Sequence, residues 1–296
     1  MYKNLSNLKA VQNSWQGKVR DIYDLGDSLL IVTSDRISAF DVVFPTPIPD
    51  KGKILTGISV HFFKATKDMV PNHFISDLVS DLPAEFAPYA EYLQGRCMLV
   101  RKTRVIPFEC IVRGYITGSA WSEYKKNGTV GGMLLPDDMK ESQRFPKPLF
   151  TPSTKADSGH DENISYREML HRMDEWLAVK IRDYSLILYE YAHERLWGEN
   201  IILADTKLEF GTIGNEVLLI DEVLTPDSSR FWDRDSYQIG ETPLSFDKQY
   251  LRDYLDRLGW NKTPPAPELP EEVVQQTRAK YIQIYQTITK DLTCKW

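Results

Sequence analysis

The sequence predicts an α+β protein of two lobes: a sheet-rich N-terminal lobe over residues 1–105, a mixed C-terminal lobe over residues 106–296, and ligands in the cleft between them. Three observations carry this expectation. Short apolar runs bounded by turn residues crowd the first third of the chain. Long 3.6-residue patterns dominate its second half. Between two helical regions lies a hairpin signal with an acid at each outer end.

Lys18 to Tyr23, the turn Asp24-Leu-Gly-Asp27 and Ser28 to Thr33 read as strand, turn, strand. A rigid Pro-rich loop, residues 44–49, precedes a helix over Leu55 to Thr66, whose apolar residues Leu55, Ile58, Phe62 and Phe63 share a face. Arg96 to Arg101 and Phe108 to Tyr115 read as two further strands. Gly114 to Ser153 has weak periodicity. Ser165-Tyr-Arg-Glu168 is a capping box, and a helical region runs from it to Trp197, with Gly198 as a stop. Ser245 to Leu258 and Pro270 to Leu292 read as the closing helices.

Composition narrows the class. Of 296 residues, 42% are hydrophobic and 26% charged, as in an ordinary globular protein with a large core. A net charge of −6 and a pI of about 5.5 argue against a nucleic-acid binder. Cys97, Cys110 and Cys294 lack metal-type spacing and suggest reduced, packed thiols. Neither a signal peptide nor a membrane span is read, so the expected location is the cytoplasm. The expected assembly is a monomer or a small homo-oligomer.

The hairpin is the strongest local feature. Phe210 to Ile213 and Val217 to Ile220 flank Gly214-Asn215-Glu216. A hairpin centred on Asn215 sets Glu209 opposite Asp221, and directly opposed Cβ atoms lie about 5 Å apart. Two like charges so placed need a cation, and Mg²⁺ suits carboxylate oxygens and substrate phosphates. Lys207 shares the face of Glu209. A salt-bridged surface hairpin is the plainer alternative.

Other stretches carry weaker signals. Gly17-Lys18-Val19-Arg20 presents Lys18 and Arg20 on one face, either to phosphate or to solvent. Ser34 to Asp41 offers hydroxyls to an anion, or turn-forming acids. Arg113-Gly-Tyr-Ile-Thr-Gly-Ser119 suits a phosphate cradle because guanidinium binds phosphate through two bonds, although a Gly-containing turn with a surface Arg fits too. Pro152 to Asn163 reads as a lid or a plain polar loop, and His160 alone argues nothing. Ser-His-Asp, Cys-His and zinc arrangements are not found.

Six stretches together resemble a known family: residues 17–24, 35–41, 112–119, 150–155, 205–211 and 221–230 follow the order of motifs in the SAICAR synthetases. The length is similar to the longer single-function form of that family, as in fungi. The resemblance implies an ATP lobe distantly similar to that of protein kinases. It implies a reaction in which ATP, L-aspartate and carboxyaminoimidazole ribotide (CAIR) give SAICAR, ADP and phosphate in purine synthesis, with Mg²⁺ required. It places Glu209 and Asp221 on the metal, and Lys18, Arg20, Lys207, Met98 and Glu109 on ATP, with adenine contacts from the backbone near Met98 to Arg104 at the lobe junction. Arg113, Ser119 and Arg230 fall on the ribotide 5′-phosphate. Ser38, Lys155 and the Asp161-Glu-Asn163 loop are candidates for aspartate, and Asp205 is a candidate base beside a catalytic Lys207. Two other readings share the nucleotide site: a small-molecule phosphotransferase, which needs no amino acid, and a regulatory module, which needs a damaged metal pair.

Overall fold

A computed structural model of the chain describes residues 11, 13–155 and 162–294. The chain opens with β1 (Ser14–Gln16), β2 (Arg20–Asp24) and β3 (Ser28–Thr33), then a small hairpin of β4 (Ser38–Ala39) and β5 (Val42–Val43). Helix α1 (Lys51–Thr66), β6 (Phe74–Ser76), the short α2 (Ala90–Leu93) and β7 (Cys97–Arg101) follow. Five of these strands form an antiparallel sheet in the order β1-β2-β3-β7-β6. Next come β8 (Arg104–Val105), β9 (Phe108–Tyr115), α3 (Gly118–Asn127), the hairpin of β10 (Thr129–Val130) and β11 (Met133–Leu134), β12 (Arg144–Phe150), β13 (Ser153–Thr154), α4 (Tyr166–Arg172) and α5 (Glu175–Trp197). The chain then runs through β14 (Ile201–Ile213), β15 (Glu216–Ile220), β16 (Ser229–Asp233), α6 (Gln249–Leu258) and α7 (Glu271–Thr289). The second sheet is built on β12-β9-β14-β15, with β8 and β16 also pairing β14 and β13 pairing β9.

Local chemistry moves several expected boundaries. Helix α1 starts four residues before Leu55 because Asp35, from a distant loop, accepts a hydrogen bond from Gly52 N at 2.9 Å and so caps the helix. Arg96 holds that cap, with its Nη1 3.1 Å from Asp35. Ser165 accepts from Glu168 N at 3.1 Å, the capping box expected. The helical region is nonetheless broken, because Met173 is extended and Asp174 starts a new helix as its N-cap. Helix α6 begins at Gln249 rather than Ser245, since Asp247 bonds Ser245 Oγ and the N–H groups of Phe231 and Gln249 instead of joining a helix. Gly114 to Ser153, where the sequence shows little pattern, contains α3 and the strands β10, β11 and β12.

The hairpin register differs from the expected one. The turn has two residues, Gly214 and Asn215, with Ile213 paired to Glu216. Gly214 has φ +57°, which suits the first central position of a two-residue hairpin. Glu209 therefore pairs with Ile220 and not with Asp221. A one-residue slip turns a side chain to the opposite face. Asp221 lies just beyond the strand, and its φ of +63° takes it out of the pleat.

The main core joins both sheets to α1, α5 and α7, through Ile54, Leu55, Ile58, Ile181, Leu188, Phe210, Tyr281 and Ile284. A second cluster packs Leu251, Leu255, Val273 and Val274 of the last two helices on Ile37, Phe44 and Ile48. Under the first of these helix contacts lies a buried ionic knot. Asp227 accepts from Lys51 Nζ at 2.7 Å and from Tyr281 Oη at 2.7 Å, and Lys248 Nζ stands 3.0 Å away. Lys51 is fully buried. Removing one member of such a group strands a charge, at a cost of about 3–5 kcal/mol. Asp227→Ala should lower the unfolding free energy by about that amount in a urea titration, and a change below about 1 kcal/mol would show that the knot is dispensable.

Candidate active site

Strand β14 positions the site. Its residues 205–208 pair with β9, 201–206 with β16, and 209–213 with β15. Alternate residues share a face, so Asp205, Lys207 and Glu209 project together. Directly paired residues also share a face. Arg113 of β9 and Arg230 of β16 both pair with Asp205, and the face continues along β9 to Glu109. One row of alternating charge results.

At one end of the row, Asp205 is 4% exposed and lies between two guanidiniums. Arg230 Nη1 contacts its Oδ2, and Arg113 Nη1 reaches the same oxygen at 3.5 Å. Arg113 also donates to Thr151 Oγ1 at 2.9 Å and to Ser119 Oγ at 3.2 Å. Gly118 has φ +55°, and a Cβ there would come 2.5 Å from Arg230 Nη2, so both conformation and space call for glycine. Arg113, Ser119 and Arg230 thus meet as the sequence suggested. Asp205 holds the two arginines and does not pair with Lys207; this arrangement favours a structural carboxylate over a proton acceptor.

At the other end, Lys207 Nζ binds Glu109 at 2.7 Å and Glu209 at 3.0 Å, and Lys155 Nζ binds Glu209 at 2.6 Å. Arg20 Nε stands 3.1 Å from Asp221, and its Nη1 2.8 Å from Glu222. Burial opposes the charge on Glu209, but Lys207 and Lys155 outweigh it and pull this carboxyl down to about 2. Burial, helped by the charges of Glu209 and Glu222 and opposed by Arg20, pushes Asp221 up to about 6. The two acids feel one another despite the slipped register. Both line a cavity of about 160 Å³ with Lys155, Arg101, Thr103 and His73, between apolar walls from Ile22, Leu29, Ile31, Val105 and Ile220.

The remaining expected residues are placed less uniformly. Lys18 is exposed and pairs with Asp41 at 2.6 Å, at the tip of the β4–β5 hairpin. Ser38 lies in that hairpin opposite Val43, away from the cavity walls. Met98 pairs with Ile31 inside the sheet and its side chain is buried in the main core, so only its backbone could meet a nucleotide. Arg101 and Thr103, within the stretch from Met98 to Arg104, border the cavity, as does Val105 just beyond it. His160 and Asp161 lie outside the described residues. Three further participants had no role assigned from the sequence, although Arg36 and Glu222 lie in stretches singled out there. Glu222 binds Arg20 through two oxygens. Arg36 clamps the Gly17–Lys18 turn, bonding both carbonyls and Asp21. His73 lines the cavity from the far end of α1. All three act across long sequence separations, so the stretches holding Arg36 and Glu222 were visible but their contacts were not.

The pair Glu209 and Asp221 suits a hard divalent cation. Among the described residues no group of three or more metal-type side chains is found. Two carboxylates plus phosphate oxygens and water meet the usual requirement of Mg²⁺. No helix among the described residues is long and apolar enough to cross a membrane.

Known proteins resemble this chain over nearly its whole length. A family model described as SAICAR synthetase matches residues 13–267. A phosphoribosylaminoimidazole-succinocarboxamide synthase of Geotalea uraniireducens is 55% identical over 275 residues, 93% of each chain. One of Desulfosudis oleivorans is 57% identical over 267 residues, 90% of this chain and 91% of that one. The SAICAR synthase of Saccharomyces cerevisiae, solved with SAICAR, superposes with a TM-score of 0.89 at 43% identity, covering 98% of both chains. A SAICAR synthetase solved with ADP gives a TM-score of 0.69 at 25% identity, covering 94% of this chain and 98% of that one. With its row of charges, its apolar-walled cavity and these relatives, the chain belongs to the SAICAR synthetase family, the ATP-using ligases of purine synthesis.

Proposed function

We propose that this cleft joins L-aspartate to the carboxylate of CAIR with ATP and Mg²⁺, by way of an acyl phosphate. One observation carries the reading: Glu209 and Asp221, from the two arms of one hairpin, line a single apolar-walled cavity together with Lys155. In this reading the apolar walls take the adenine, and the lobe over residues 1–105 closes on the nucleotide above the lobe over 106–296. Glu209 and Asp221 would hold Mg²⁺, which would neutralise charge on the transferring phosphoryl group.

The chain's own residues do the rest. Lys207, Lys155 and Lys18 exchange their carboxylate partners for phosphate oxygens. Arg113, Ser119 and Arg230 hold the ribotide 5′-phosphate, and Asp205 keeps both guanidiniums aimed at it. A CAIR carboxylate oxygen attacks the γ-phosphorus as the bond to ADP breaks. The aspartate amine then attacks the acyl carbon, phosphate leaves with the bridging oxygen, and the nitrogen releases a proton. Phosphoryl transfer asks mainly for position and charge neutralisation, which this cation-rich cleft supports. Ser38 and the Glu162–Asn163 stretch stay as candidates for aspartate. Lys155, bonded to Glu209, fits the nucleotide better.

Glu209→Gln and Asp221→Asn should each lower kcat/KM by on the order of 100-fold, about 2.7 kcal/mol of transition-state stabilisation. A coupled ADP-release assay with CAIR, aspartate and Mg-ATP, each omitted in turn, reads this; normal turnover in either variant would remove the metal assignment. Arg230→Lys keeps the charge but loses the planar fork, so KM for CAIR should rise about tenfold while KM for ATP stays put. An unchanged KM for CAIR would move the 5′-phosphate elsewhere. With ¹⁸O in the CAIR carboxylate, one label should appear in the released phosphate, and its absence would refute the acyl phosphate.

A further inference from the structure

We propose that Arg36 is a positioning residue for ATP: its guanidinium fixes the Gly17–Arg20 turn from the side away from the cavity, so that the turn presents Lys18 to the nucleotide phosphates. The inference rests on the reading of Lys18 as an ATP residue.

The turn stands on a thin support. It joins β1 to β2, and β1 is the outermost described strand of the first sheet, three residues long and exposed throughout. Lys18 pairs with Asp41 in the open, and an exposed pair contributes little. Segments with few buried contacts open at small cost. The turn nonetheless lies at the mouth of the cleft. The strand it leads into carries Arg20 to Asp221 and Ile22 to the cavity wall.

The loop after β3 grips the turn carbonyl by carbonyl. Arg36 donates from Nη2 to Gly17 O at 3.1 Å and from Nε to Lys18 O at 3.0 Å. Ser34 donates to Val19 O twice, from N at 2.9 Å and from Oγ at 2.5 Å. Gly17 N donates to Arg20 O at 2.8 Å and closes the turn on itself. A Cβ at residue 17 would come 2.8 Å from that same oxygen, so the turn is tight enough to call for glycine. The gripping loop is itself anchored, because Asp35 caps α1 through Gly52 N and pairs with Arg96.

Arg36 acts from behind. Its Nη2 also reaches Asp21 at 2.7 Å, and the two side chains are only 14% and 8% exposed. Asp21 projects to the face of β2 opposite Arg20 and Ile22, away from the cavity. Held there on two carbonyls and a carboxylate, Arg36 serves as a clamp and not as a phosphate ligand. The planar fork matters, since it offers several donors in one rigid arrangement where an ammonium offers a point charge. With the backbone of residues 17–20 set in advance, little more than the Lys18 side chain has to be ordered when phosphate arrives, and the entropic cost of binding falls.

Arg36→Lys keeps a charge for Asp21 but loses the fork. KM for ATP should rise about tenfold, with KM for CAIR and aspartate unchanged. Calorimetric titration supplies a reading that general damage to the fold would not give. Without the other two substrates, Mg-ATP should bind the variant about tenfold more weakly, while adenosine, which lacks phosphate, binds as in wild type. A wild-type KM for ATP in Arg36→Lys, or adenosine weakened as much as ATP, would overturn the proposal. If Arg36→Lys fails to fold, the pair Asp21→Asn with Arg36→Met removes the fork without stranding a buried charge. It should show the same pattern; a wild-type KM for ATP in that double variant, or its failure to fold as well, overturns the proposal too. Lys18→Met separates the two levels. A wild-type KM for ATP there sinks the reading of Lys18 itself, whereas a raised KM there with none in Arg36→Lys sinks the Arg36 clamp alone.

Discussion

Strand β14 is held along both of its edges, and the site exists because of that constraint. Its thirteen residues pair with β9 on one side and with β16 and then β15 on the other. A strand so held cannot slip, and the period of two then fixes which residues project together. Asp205, Lys207 and Glu209 are spaced about 7 Å apart along it. Each neighbouring strand contributes a residue to the same row: Arg113 and Glu109 from β9, Arg230 from β16. Tyr189 holds the sheet from behind, donating to Leu203 O at 2.7 Å, and the absence of a Cβ at Gly114 leaves room for its hydroxyl.

Such a row is tolerable only when its charges compensate. A buried unpaired charge is costly, and here almost every carboxylate has a cation at contact distance. Asp205 lies between two arginines, Glu209 between two lysines, and Asp221 beside Arg20. The same pairing prepares the cleft for charged ligands. Cations already gathered around acids can turn to phosphate oxygens while a metal ion takes the acids, so the desolvation is largely complete before substrate arrives. Asp221 is the exception: its carboxyl is pushed up to about 6 by burial and by its acidic neighbours even with Arg20 alongside. An additional positive charge is accommodated best there.

The sequence showed the elements whose causes are local. The capping box at Ser165 and the end of α5 at Trp197 were legible because the interacting residues lie within one helical turn. The early start of α1 was not, because its cap arrives from Asp35. The acids at the ends of the hairpin were recognised, but the two-residue turn at Gly214-Asn215 altered their pairing, and a left-handed backbone at Asp221 compensated. A φ value of that kind has no signature in a single sequence when the residue is aspartate. The stretch from Met98 to Arg104 was harder to read, because Cys97, Met98 and Val100 of β7 are all buried and their apolar run does not show which residues reach a cleft. The contacts of Glu222, Arg36 and His73 were not legible because each acts on a residue at least fourteen positions away or through main-chain atoms.

The closing helix has a consequence for the order in which the molecule can be made. Helix α7 packs on α1, where Arg278 reaches Asp50 at 2.6 Å and Tyr281 completes the Asp227 knot. Val273 and Val274 cover Ile37, Phe44 and Ile48. A late segment therefore supplies the cover for a core laid down by an early one. Without α7, α1 has a bare apolar flank and the Lys51–Asp227 pair lacks Tyr281. Folding of the early core is thus coupled across more than two hundred residues to the packing of α7, a contact of high sequence separation.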